Sequence, residues 1–203
     1  MGTSVCAYHL RDCTQTECLK ALALVKSPPA FVSAVTDKWL SVVDENSETF
    51  RLEQVEHTVV KLSKILDADI IATAVYDDAE SLYMAFRAGI EIDRYSSGLG
   101  GFEWMGRRKF PGDPKRLSAA FEWWKGQDRL ELALKKKYRI ESQRLKEIVR
   151  AFGIPDYRAL TKMNDLSNPL PFSAERVAEL PPDSELGVRI RDRQAYVEFK
   201  WLS

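Results

Sequence analysis

The chain has 203 residues, 45% of them hydrophobic and 30% charged, enough for one substantial core or a core with a small appended lobe. Its 30 Lys and Arg balance 30 Asp and Glu, which excludes a net field steering it onto nucleic acid, an anionic membrane or a basic partner. No apolar run is long enough to span a bilayer, and polar residues enter too early for a signal peptide. The odd, clustered Cys6, Cys13 and Cys18 suit a reducing compartment, so a soluble cytoplasmic protein is expected.

Residues 4–11 alternate as a strand, with Val5, Ala7 and His9 on one side. Thr14 and Glu17 have the spacing of a capping box, and Cys18, Leu22 and Val25 make the apolar stripe of a helix that stops at Ser27-Pro28-Pro29. Residues 30–43, rich in β-branched and aromatic side chains around Trp39, read as one or two strands, and 44–49 as a polar turn. A second helix over 50–66 sets Leu52, Val55, Val59, Leu62 and Leu66 on one stripe.

Residues 69–101 read as a three-stranded antiparallel meander: strands over 70–76, 81–87 and 90–96, joined by a polar turn at 77–80 and a two-residue turn at Ala88-Gly89. Alternation sends Leu82, Met84 and Phe86 to one face and Tyr83, Ala85 and Arg87 to the other. A glycine-rich loop over 97–112 follows. Asp113-Pro114 starts a third helix with Leu117, Ala120, Phe121 and Trp124 on its buried side, and a long fourth helix over 128–152 ends at Gly153. Residues 155–182 read as a proline-rich connector and 186–202 as a C-terminal β-hairpin. The sum is a single α+β domain, 1–203, with helices packed on one face of a mainly antiparallel sheet. Its expected core is Leu52, Val55, Val59, Leu62, Ile70, Ala72, Leu82, Met84, Phe86, Ile92 and Phe121.

Chemistry is sparse. Gly98-Leu99-Gly100-Gly101 lacks the helix start and Lys-Ser/Thr ending of a phosphate loop. The cysteines and histidines fit no zinc spacing, so no metal or cofactor is expected; Cys18 reads as packing, and His57 as a surface residue. Cys13, near a helix start, is the one thiol whose pKa that position would lower. Asp77, Asp78 and Glu80 crowd one turn and read as solvated, and Lys135-Lys136-Lys137 reads as a solvated helix face. The strongest lead is the loop bearing Phe102, Trp104, Arg107, Arg108 and Phe110. Trp, Phe and Arg are the residue types that anchor protein interfaces, although the same aromatics could fold back onto Phe121, Trp123 and Trp124.

The stretch AVYDDAESLYMAFRAGIEIDRYSSG, with GDPKRL after it and SVCAYHL before it, resembles small bacterial α+β proteins of the kind that includes toxin-immunity proteins. The resemblance carries over no catalytic residue. It implies a protein-binding module whose partner is a cognate toxin, more a binder than an enzyme. Two alternatives remain: a metal-dependent hydrolase or transferase using Asp77, Asp78, Asp93 and Glu103, and a weaker one, a nucleic-acid binder using Arg107-Arg108-Lys109 with the loop aromatics. No membrane partner is expected.

Overall fold

The structure, a computed structural model, describes residues 4–98 and 110–155, and the backbone of 197–199. Strand β1 (Val5–Arg11) leads into helix α1 (Gln15–Val25), which opens on the expected capping box: Thr14 Oγ1 accepts from the Glu17 amide at 3.2 Å and the Glu17 carboxylate from the Thr14 amide at 2.9 Å. The β-rich stretch after it is two strands, β2 (Ala30–Val32) and β3 (Trp39–Asp44). Asp37 and Lys38 turn the chain between them with positive φ at both positions, 51° and 71°, and the Thr36 and Trp39 backbones close the turn. Asp44 then caps the short α2 (Glu45–Glu48), and α3 (Leu52–Leu66) follows.

The meander forms as expected from β4 (Ile70–Tyr76), β5 (Glu80–Arg87) and β6 (Ile90–Ser96). Ala88 and Gly89, at φ 50° and 80°, form the second turn, where the left-handed second position suits glycine. Strand order across the sheet is β6-β5-β4-β1-β3-β2, every pair antiparallel, and β7 (Val197–Phe199) pairs on the outer side of β2. The expected connector, and the expected hairpin apart from β7, lie outside the described residues.

The α+β class holds, but the described helices lie on both faces of the sheet rather than one. Leu82, Met84 and Phe86 share a core with Leu22 of α1 and with Leu52, Val55, Val59 and Leu62 of α3. Tyr83, Ala85, Ile71 and Val75 share the opposite core with the next three helices, α4 (Pro114–Ala120), α5 (Gln127–Lys135) and α6 (Glu141–Ala151). The central strands are apolar on both sides, so a single helical layer would leave one face wet. Every expected core residue is buried except Ile92, which packs half-buried against the second cluster.

The long fourth helix is instead two. Lys136 turns extended at φ −67°, ψ 140°, and α6 restarts after Ile140. One straight helix would carry Glu141 on the stripe between Tyr138 and Leu145; folding back lets Leu130 and Ala133 join Leu145, Ile148 and Val149 on the same face of the sheet. The end of α6 is as expected: Gly153 at φ 73° lets Ile154 N donate to Val149 O and Gly153 N to Arg150 O. Among the described residues no helix is long and apolar enough to cross a membrane.

Candidate functional site

Of the five loop residues singled out in the sequence, Phe102, Trp104, Arg107 and Arg108 lie outside the described residues; Phe110 lies within them. The chain leaves β6 at Ser97-Gly98 and is back beside the same strand by Phe110. There Ser96 N donates to Phe110 O at 2.8 Å, and Tyr95 bridges to Pro111. Asp93 adds a third tie, its Oδ2 accepting from Asp113 N at 2.9 Å and from the Tyr83 hydroxyl at 2.5 Å. Asp113 then caps α4 by accepting from Lys115 N and Arg116 N, with Pro114 in the first helical position. Phe110 packs half-buried against the core shared with α1 and α3, beneath the Arg94 guanidinium, which pairs with Glu56 at 2.5 Å and with Glu91. Phe110 therefore anchors the neck of the loop, a place that its residue type does not specify.

Inside the neck, the end of β6, the start of α4 and the end of α5 enclose a cleft of about 480 Å³, lined by Tyr95, Ser96, Pro111, Lys115, Glu131 and Lys135 among others. Ser81 donates to Glu141 at 2.6 Å, and Glu141 pairs with Arg144 at 2.8 Å, tying α6 to β5 on the same side of the sheet. Burial raises the pKa of the Tyr95 phenol to about 12, and it raises that of Asp93 too, against the hydrogen bonds from Tyr83 and Asp113 that favour the carboxylate. A raised carboxyl pKa means the native state holds the proton more tightly than the unfolded chain. Its stabilising effect is present below the ordinary value of 3.8 and is lost as pH rises through the raised pKa. Asp93→Asn keeps an oxygen for both donors and lacks this loss. Its melting temperature should gain on the parent protein as pH rises from about 4 towards 7. A flat difference, or one of opposite slope, in paired melting curves would count against burial as the governing cause.

The other polar groups are dispersed or sealed. Asp77, Asp78 and Glu80 sit at the β4–β5 turn, Asp77 exposed and the others half-buried. Asp93 pairs with Ala85, five residues further along β5 and so about 16 Å away along the strand, and Glu103 lies outside the described residues. Among the described residues no group of three His, Cys, Asp or Glu side chains is placed to hold a metal ion. Cys13 corrects the lowered-pKa reading: it is 5% exposed, and burial followed by the Glu17 charge pushes its thiol up to about 11. Cys18 is buried and His57 exposed, as expected.

His9 has partners that only strand register places beside it. Its Nδ1 lies 2.7 Å from Ser41 Oγ and its Nε2 3.1 Å from Thr73 Oγ1, across β3, β1 and β4. A Ser–His contact is the geometry of an activated nucleophile, but all three residues are fully buried, and the trio ties strands together.

The turn between α5 and α6 carries a further concavity of about 320 Å³, lined by Lys136, Lys137, Tyr138, Arg139 and Lys146 and by the Glu147–Arg150 pair. Compared with protein families, curated proteins and solved structures, the chain matches none.

Proposed function

We propose that the protein acts by binding another protein, with the segment 98–112 as its recognition loop, and that the partner is a toxin it neutralises by direct contact. The observation that carries this reading is the neck. Ser96–Phe110, Tyr95–Pro111 and Asp93–Asp113 hold both ends of the segment on the rim of a rigid sheet. A loop with fixed ends loses less entropy on binding, and Phe102, Trp104, Arg107 and Arg108 are the side chains it carries between them. The toxin class comes from the sequence resemblance and makes the partner specific enough to test.

The test is a pull-down from the native cell with mass spectrometry, followed by titration of the partner with Trp104→Ala. A stoichiometric partner should lose about 2 kcal/mol or more of affinity, roughly 30-fold, while the melting temperature stays within about 2 °C of the parent. A clean pull-down without a stoichiometric partner would sink the proposal. A melting temperature that falls first would place Trp104 in the core instead. The metal-dependent alternative has its own check: a calorimetric titration with Mg²⁺, Mn²⁺ or Zn²⁺ that binds and raises the melting temperature would revive it.

A further inference from the structure

Between residues 125 and 150 there are nine Lys and Arg against four Asp and Glu, in a chain whose total charge is zero. Three of these four acids are already paired. Glu131 pairs with Lys135, Glu141 with the buried Arg144, and Glu147 with both Arg129 and Arg150. That leaves Lys136, Lys137, Arg139 and Lys146 around the concavity at the α5–α6 turn, with no carboxylate paired to them among the described residues; the one carboxylate in the lining, Glu147, is taken up by Arg129 and Arg150. Only the fold brings them together, since Lys146 reaches the other three when α6 turns back on α5. Four like charges converging on one hollow raise the energy of the native state, and they do so next to helices that could have carried acids at no cost to packing.

We infer that this hollow is a docking site for a short acidic segment of a partner protein, an inference that rests on the protein-binding reading above. Three observations choose this occupant over a nucleic-acid strand. With zero net charge the chain has no long-range attraction for a polyanion, so the patch acts only within a Debye length of about 8 Å, the reach of a few side chains. Strand binders stack bases on exposed aromatics, whereas the aromatic here, Tyr138, is half-buried with Lys136 at 5.2 Å and Arg144 at 4.9 Å from its ring centroid. Finally, about 320 Å³ accommodates a few carboxylate side chains, not a duplex.

The experiment uses the full chain and a fluorescein-labelled oligoglutamate peptide, with a neutral peptide and a single-stranded oligonucleotide as comparators, read by anisotropy. The oligoglutamate should bind, and weaken about tenfold as ionic strength rises from about 0.05 to 0.2 M. Changing Lys136→Gln, Lys137→Gln, Arg139→Gln and Lys146→Gln together should weaken it at least about tenfold while leaving the melting temperature unchanged or higher, because removing unpaired like charges relieves repulsion. No binding, or binding undiminished in the quadruple variant, overturns the inference. So does tighter binding of the oligonucleotide that the same variant abolishes. If the variant retains a native partner that Trp104→Ala releases, the hollow is not the docking site and the loop reading stands. If oligoglutamate binds as described but no native partner is found, the loop reading falls and the anionic site remains.

Discussion

Phe86→Ala is expected to destabilise the protein by about 3–5 kcal/mol and to lower its melting temperature by about 10 °C. Phe86 is fully buried in the core shared with α1 and α3, opposite Ile70 on β4. Its strand is held on both sides, by β4 and by β6, so the backbone cannot collapse into the space the ring leaves, and most of the cavity persists. The β5–β6 register also shifts between Ala85 and Phe86, next to the substituted position. Ile90→Ala, at a 65% exposed position at the start of β6, should stay within about 0.5 kcal/mol of the parent. Urea denaturation of the two variants measures both. A cost below about 1 kcal/mol for Phe86→Ala would mean that this face of the sheet repacks freely.

What could be read in advance was what local chemistry specifies. The Thr14–Glu17 box, the Asp113-Pro114 start and the Gly153 stop are each complete within a few residues, and the α3 stripe needs only the helical period. The second face of the sheet was harder. Tyr83 and Tyr95 look amphipathic in sequence, and what makes them interior is α4, α5 and α6, which lie beyond the end of the meander in the chain. The break at Lys136 has neither Gly nor Pro to announce it; it is imposed because both halves gain by facing the same strands. The Asp37-Lys38 turn likewise lacks the glycine that usually marks its type.

The sites divide in the same way. Phe110 stands out in sequence for its residue type alone, whereas its half-buried place under Arg94 depends on Glu56 of α3 and Glu91 of β6. The run Lys135-Lys136-Lys137 was visible as a charged helix face, yet its meaning changes once the helix breaks and Lys146 folds back to join it. His9 could not have been assigned, because Ser41 and Thr73 meet it only through strand register.

Asp69→Ala is expected to cost about 2–3 kcal/mol, by detaching the segment after α4 from the sheet. Asp69, just before β4, is 9% exposed and accepts three hydrogen bonds: from Arg87 Nε at 2.6 Å, Arg87 Nη2 at 2.7 Å and Trp123 Nε1 at 2.5 Å. Arg87 in turn donates to the Ala120 carbonyl, where α4 ends, and lies 4.9 Å from the centroid of Phe121. Trp123 stacks on Phe121, meets Trp39 edge-on and receives the Arg11 guanidinium at 3.9 Å. One carboxylate thus joins β5 to an aromatic stack that carries the second helical layer. A deeply buried pair broken on one side costs about 3–5 kcal/mol, but the Arg87 side chain is 37% exposed and water can reach it, which lowers the figure. Removing both partners with Asp69→Ala and Arg87→Ala should cost less than the sum of the single changes by about 1 kcal/mol, the mark of a direct pair. Hydrogen exchange locates the damage: protection in 114–124 should fall well before protection in β4 and β5. Additive costs, or equal loss of protection across the sheet, would show that Asp69 is not the link between the two layers.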